Sequence, residues 1–423
     1  MHINGGTPRA KKSLLHRMDL MYSALLNTSA PLRDIEAISL KARYLASVTN
    51  QKNTGCRTLR ASLVASVGLG FMAGAAHAQS SVTLYGVVDS GMVYTNNQKG
   101  GSAIQAESGE EQGTRWGLIG SEDLGGGTKT IFKLENGYNI ESGTLLQGGR
   151  IFGRNAYVGI TNPHFGTLTM GRQYNASQDV LEPLQLAGTS ALSQFATHPF
   201  DTDDIDNTFR SNNTVKYATP IYAGWQGSGM YGFSNQSGFT QDRTYSLGLR
   251  YAKGPLQMGA AYVRLDNPTV DTGGAITTDN YYRFLTDIAH QQIMGVGGLY
   301  TLGNSTFGLL YTTTLFQLKT PGDSQRYTNY DASYRYAITP ALRFAIGETY
   351  TLVHIAPSAT NAGRHYLQTT TGLQYFLSKA TDVYVNFAYQ KASGNTVAEI
   401  QGAPNPSSTN SQFISLVGLR HRF

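Results

Sequence analysis

Asn329-Tyr330-Asp331-Ala332-Ser333-Tyr334-Arg335-Tyr336-Ala337-Ile338 alternates with a period of two. Tyr330, Ala332, Tyr334, Tyr336 and Ile338 share one parity, and Asn329, Asp331, Ser333 and Arg335 share the other. Successive side chains of a strand point to opposite faces, so this segment is a strand with one apolar and one polar face. The segment after it repeats the pattern. Leu342, Phe344, Ile346, Tyr350 and Leu352 stand against Arg343, Ala345, Gly347, Thr349 and Thr351, with Glu348 the one misfit on the apolar side. Val383, Val385, Phe387 and Tyr389 likewise alternate with Asp382, Tyr384, Asn386 and Gln390. A soluble sandwich would alternate in the same way; the connections separate the two.

Sixteen candidate strands lie near 82–95, 113–120, 127–140, 150–161, 166–173, 208–218, 224–234, 243–252, 255–265, 290–301, 305–318, 326–338, 340–354, 364–378, 381–391 and 412–423. Their connections alternate strictly in length. Tight ones, such as Glu122 to Gly126, Lys253-Gly254 and Leu302 to Asn304, carry turn chemistry. The intervening ones are long and polar, with 174–207 the longest. An even strand count with short turns at one end and long loops at the other is the layout of outer-membrane barrels. Many strands reach the length needed to cross a bilayer when tilted, and closure leaves no unpaired edge. The expected fold class is therefore all-β, a 16-stranded antiparallel transmembrane β-barrel.

No apolar run long enough for a membrane helix follows Ala78, and the chain is 40% apolar with 48 Gly and 26 Tyr, a composition suited to tight barrel turns and interface girdles. The net charge of +6 sits in the first 78 residues, which hold ten of the 33 Lys/Arg and three of the 27 Asp/Glu; the remainder is near neutral, at −1. A nucleic-acid partner is therefore not supported. Around Arg57 and Arg60 the chain turns into the apolar run Leu63 to Ala73 and then Ala76-His77-Ala78, the form of a signal peptide. Cleavage is expected between Ala78 and Gln79. Residues 51–78 are read as the signal peptide, 1–50 as an extension from a start called too far upstream, and 79–423 as the barrel domain. The only cysteine, Cys56, falls in the part expected to be removed, which excludes thiol chemistry downstream.

The last residue, Phe423, follows alternation through Phe413, Val417 and Leu419, and a terminal aromatic looks like the signal by which barrel proteins are recognised for assembly. Further stretches carry a resemblance over residues 79–423. They are Ser81-Val82-Thr83-Leu84-Tyr85-Gly86-Val87-Val88-Asp89, Arg115-Trp116-Gly117-Leu118-Ile119-Gly120-Ser121-Glu122-Asp123-Leu124-Gly125-Gly126-Gly127, and Phe165-Gly166-Thr167-Leu168-Thr169-Met170-Gly171-Arg172-Gln173. Asn212-Asn213-Thr214-Val215-Lys216-Tyr217 and Gly418-Leu419-Arg420-His421-Arg422-Phe423 complete the set. The chain resembles the general porins of Gram-negative β-proteobacteria. The resemblance implies a homotrimer in the outer membrane, each monomer a water-filled channel narrowed by its inward-folded third loop and open to ions and small hydrophilic solutes by passive diffusion. Its implied partners are outer-membrane lipid, lipopolysaccharide and the barrel-assembly machinery that reads Phe423.

In a pore, selectivity comes from charges at the narrowest section, where a low-dielectric passage strengthens each of them. The third loop in this count, 174–207, holds Asp201, Asp203, Asp204 and Asp206. Arg115, Lys133, Arg150, Arg154, Arg210 and Lys216 lie on predicted strands, mostly of inward parity, and Arg172 lies at the root of the loop. These eleven are the expected constriction, acidic loop against basic wall, with a preference for anions. A calcium loop at Asp201, Asp203 and Asp204 would need a Gly and a distal Glu that are missing, so no metal or cofactor is expected. Histidines 164, 198, 290, 354, 365 and 421 sit in no nucleophile motif and no G-x-S-x-G occurs, which argues against an enzyme. A sugar-selective pore would line its lumen with aromatics, whereas Tyr334, Phe344 and Phe387 fall outward; Tyr85 and Tyr384 are the inward candidates. Adhesion through 96–112 and 266–289 is the second reading.

Overall fold

The computed structural model describes residues 80–185, 192–270, 273–276, 285, 287–357 and 363–423. The expected extension, signal peptide and Ala78/Gln79 junction lie outside the described residues. Strands β1 Ser81–Gln98, β2 Gly101–Ser108, β3 Arg115–Gly125, β4 Thr128–Gly137, β5 Asn155–Asn162 and β6 Gly166–Gln173 precede the third loop. Beyond it come β7 Ser211–Ala218, β8 Trp225–Gly232, β9 Arg243–Lys253, β10 Leu256–Asp266, β11 Ile288–Leu302 and β12 Ser305–Leu318. The chain finishes with β13 Ser324–Ala337, β14 Leu342–Ala356, β15 His365–Phe376, β16 Thr381–Ser393 and β17 Ser411–Arg422.

All pair antiparallel in one sheet, and β17 returns to β1 with Asp89 opposite Arg420 and Tyr94 opposite Ser415. The barrel is therefore closed. The other side of β1 explains why seventeen strands make sixteen staves. The first part of β1 pairs with β3, Leu84 opposite Leu118, and the second part with β2, Met92 opposite Ala106. β2 and β3 are two pieces of one stave, broken at 109–114.

The predicted loop 96–112 thus contains all of β2, turned at Lys99 and Gly100, both with positive φ. The break is fixed by Asp89. Its carboxylate accepts the N–H groups of Glu111 at 3.0 Å and Gln112 at 2.6 Å, while the Thr114 hydroxyl donates to its carbonyl at 2.9 Å. Backbone donors that leave the ladder must find another acceptor, and a carboxylate on the neighbouring strand supplies it.

The two faces follow the alternation. Leu309 (69% exposed), Tyr330 (49%) and Val417 (56%) lie outward, while Thr312, Asn329, Gln390 and Gln412 on the other parity are fully buried. An apolar outer band with a polar interior is what a bilayer requires of a spanning sheet. Among the described residues no helix is long and apolar enough to cross a membrane; the crossing is by strands. Glu348, the misfit, accepts a hydrogen bond from the Thr369 hydroxyl beside it at 2.6 Å. Gly125 and Gly126, with φ of +86° and +60°, occupy left-handed conformations that let the chain reverse tightly between β3 and β4.

Candidate pore constriction

The connection from β6 to β7 carries short helical turns at Ser177–Leu181, Glu182–Leu184, Gln194–Ala196 and Pro199–Asp201. Its apolar side chains Ala176, Val180, Leu181 and Ile205 cluster with Ala261 and Leu310 of the wall's buried parity. Gly259 and Gly295 make room there: a Cβ on either would collide with Val180 or Leu181. Polar ties complete the attachment. Gln291 donates to the Thr202 carbonyl at 3.1 Å, and Gln368 to the carbonyls of Phe195 at 2.9 Å and Thr197 at 3.0 Å.

Asp203 is central to that attachment. It bonds His198 Nδ1 at 2.6 Å and accepts from Thr312 and Asn329 on the wall. His198 Nε2 lies 3.8 Å from Asp331. Burial works against both charges, yet the pair outweighs it: His198 is held up to about 10 and Asp203 below the usual carboxylate range. Asp201 accepts the N–H groups of Asp206 at 2.8 Å and Thr208 at 3.1 Å; Asp204 accepts from Asn175 at 2.6 Å and from the Phe209 N–H at 3.0 Å. Asp201 and Asp204 have positive φ, as does Phe200, an aromatic held there edge-on against Tyr327 and Tyr366. Burial pushes the Asp201 carboxyl up to about 7 and those of Asp204 and Asp206 well above the usual range, and neighbouring acids add to it.

On the opposite wall three cations converge on one carboxylate. Glu135 receives Arg154 at 2.9 Å, Lys133 at 3.2 Å and Arg115 at 3.7 Å, with further bonds from Tyr85 at 2.6 Å and Asn155 at 3.2 Å. One acid cannot neutralise three bases, so the cluster stays positive. Arg210 joins it across the ring of Tyr174, whose centroid lies 5.3 Å from Arg210 and 6.0 Å from Arg154. These side chains line a cavity of about 330 Å³, together with Glu110, Glu111, Glu182 and Asp206. Burial pushes Glu110 up to about 8, and Glu111 and Glu182 up to about 7.

Of the eleven expected constriction residues, the cavity brings together Arg115, Lys133, Arg154, Arg210 and Asp206. The other six are placed elsewhere. Asp201, Asp203 and Asp204 are fully buried and turned into the loop and the wall behind it. Arg172 holds the loop root through the Gly153 carbonyl at 2.7 Å and Asn212 at 2.6 Å, and Lys216 pairs with Asp179 at 2.6 Å. Arg150 donates to the Gln147 carbonyl at 2.6 Å. Arg150, Arg154 and Arg210 were predicted on strands but stand just before β5 and β7, where the chain enters the wall.

Sequence reasoning passed over Glu135, Tyr174, Glu182 and Glu110. Glu135 could have been found, because it shares inward parity with Lys133 two residues before it. Both inward tyrosines are in place: Tyr85 bonds Glu135, and Tyr384, buried, donates to Asp89 at 2.5 Å.

A family model described as Gram-negative porin matches residues 61–395. An outer membrane porin protein of Bordetella pertussis is 32% identical over 288 residues, 60% of this chain and 70% of that protein. Outer membrane porin protein 32 of Delftia acidovorans is 29% identical and covers 83% of this chain and 96% of its own length. Among solved structures, the anion-selective porin from Comamonas acidovorans superposes with a TM-score of 0.67 at 23% identity, covering 82% of this chain and all of that one. With the closed barrel and its charged interior, these place the chain in the Gram-negative porin family, as an outer-membrane channel for passive diffusion and not an enzyme.

Proposed function

We propose that this channel sorts small hydrophilic solutes by charge as well as size, in the cavity between the basic wall and the third loop. The observation that carries the reading is the convergence of Arg115, Lys133 and Arg154 on the single acid Glu135, with Arg210 beside them. A surplus of fixed cations in a narrow passage raises the local concentration of anions and lowers that of cations. The acidic side of the field comes from Asp206, Glu182 and Glu110 as they ionise with rising pH, because Asp201, Asp203 and Asp204 serve to hold the loop. In this reading the third loop folds into the lumen, and its attachment to wall residues of buried parity supports that.

The assembly is proposed to be a homotrimer, each monomer a separate pore, surrounded by lipid and lipopolysaccharide and delivered by the barrel-assembly machinery through Phe423; the family resemblance supports this. The test is planar-bilayer recording of refolded residues 79–423 under a salt gradient. Openings in steps of three and an anion-side reversal potential that falls when Arg115 and Arg154 are changed to Gln are expected. A reversal potential unmoved by both changes would remove the filter.

A further inference from the structure

The connection between β16 and β17, residues 394–410, packs against the inner wall. The Glu399 N–H donates to Gln390 Oε1 at 2.6 Å, its carbonyl accepts from Gln390 Nε2 at 3.0 Å, and the Ile400 N–H donates to Gln412 Oε1 at 2.9 Å. Both glutamines are fully buried and of inward parity. Amides buried in this way keep the backbone they bind, since releasing it would leave them unpaired.

The same segment meets the third loop in four places, one of them through wall residues that both share. Ile400 is buried in one cluster with Phe195 of that loop and Tyr384, Ile414 and Leu416 of the wall. Ala398 packs with Val353 and Tyr366, against which Phe200 of the third loop also rests. Gln401 stands beside the Asp206 carboxyl. Gly402, at φ +82°, lies so close to Gln194 that a Cβ would stand 2.9 Å from its side chain. Gln194 in turn bonds Glu110 of the stave break with both its amide and its backbone N–H.

The geometry points to the last connection as a second constricting segment, in which Ile400, Gln401 and Gly402 are positioning residues that set how far the Gln194 and Asp206 region of the third loop stands from the basic wall. This rests on the reading that the third loop narrows the channel. Pore width then depends on two loops stacked on each other, and removing the outer one lets the inner one retreat. Selectivity depends on it too, because Asp206, the one expected loop acid that reaches the cavity, has Gln401 beside it.

The test compares the full barrel with a variant lacking Thr396–Pro406 and with Ile400→Asp, Ile400→Val and Gly402→Val, each checked as a folded, heat-modifiable barrel. Single-channel conductance, exclusion of graded polyethylene glycols and reversal potential are recorded. The shortened variant and Ile400→Asp are expected to raise conductance about twofold, to admit larger polyethylene glycols and to weaken ion selectivity, while Ile400→Val stays near wild type. Gly402→Val, which pushes Gln194 toward the wall, is expected to lower conductance. The point variants decide the matter if the shortened chain does not fold. Folded variants with wild-type conductance and size cut-off, alongside an Arg154→Gln channel whose selectivity does change, would overturn this inference and leave the filter standing. If Arg154→Gln and Asp206→Asn are both silent, the filter itself falls.

Discussion

Gln194 of the third loop is bonded twice to Glu110 of the stave break: its side-chain amide reaches the carboxylate at 2.7 Å, and its backbone N–H reaches the carbonyl at 2.8 Å. Two segments 84 positions apart therefore meet at a carboxyl group that also lines the cavity.

That carboxyl makes selectivity depend on pH. Burial pushes Glu110 up to about 8 and Glu111 and Glu182 up to about 7, so all three gain negative charge as the pH rises through that range, while the arginines do not change. Anion preference is expected to be strongest below about pH 6 and to decline by about pH 9. Glu110 binds its proton more tightly when folded, so its contribution to stability is fully present below the ordinary carboxylate range and lost as pH rises through about 8. Reversal potentials recorded between these limits check this; a flat profile, or one that Glu110→Gln, Glu111→Gln and Glu182→Gln together leave unaltered, would count against it.

Replacing Glu135 by Gln removes the acid on which Arg115, Lys133 and Arg154 converge. Breaking a buried ion pair costs roughly 3–5 kcal/mol, and the partial exposure of the three cations puts this case at or below the lower end, ~3 kcal/mol. Two effects are expected together: a lower unfolding midpoint in denaturant and a stronger anion preference. A variant that is destabilised without any change in selectivity would separate Glu135 from the filter.

The buried pair of His198 and Asp203 pins the third loop to β12 and β13. A His198→Gln change is expected to cost roughly 3 kcal/mol or more and to produce noisy, flickering single-channel currents, because the loop loses its hold on the wall. The sign of the pH effect is opposite to that of a depressed carboxyl. His198 is raised to about 10, so its contribution is fully present below about pH 6.5 and is lost as the pH rises through about 10. Current noise followed from about pH 8 to about pH 11 should rise in the wild type and stay high throughout in the variant.

At the seam, the Gly86 N–H donates to the Phe423 carbonyl at 2.9 Å and the Phe423 N–H donates to the Gly86 carbonyl at 3.1 Å. A side chain at 86 would run into the Phe423 ring. Gly86→Val is therefore expected to lower the yield of heat-modifiable barrel on gels while leaving far-ultraviolet strand signal in the product; an undiminished yield would show that the seam tolerates a shift.

The sixteen staves were legible because a spanning sheet must alternate strictly, and a two-residue period survives any choice of individual side chain, as Asn329 to Ile338 show. The stave break was not. It depends on the Asp89 carboxylate capturing N–H groups 22 and 23 positions later, and nothing near Gly109 announces it. The aspartates of the third loop were misleading for a related reason. Asp201, Asp203 and Asp204 look like charges awaiting an ion, but Thr312 and Asn329, which donate to Asp203, lie more than 100 residues further on. Arg115 and Lys133 were easier, since they stand on β3 and β4 with an inward parity that faces the lumen.

The pairing of β1 with β17 sets an order on the molecule's manufacture. The first strand to emerge is the one that must wait for the last, and until β17 arrives the growing sheet keeps two raw margins, each a template for other chains. A chain halted anywhere before Ser411 cannot round itself off. The contact of longest sequence separation is also the one that makes the object finished, so closure doubles as an inspection of length, passed only by chains in which both margins are present to meet.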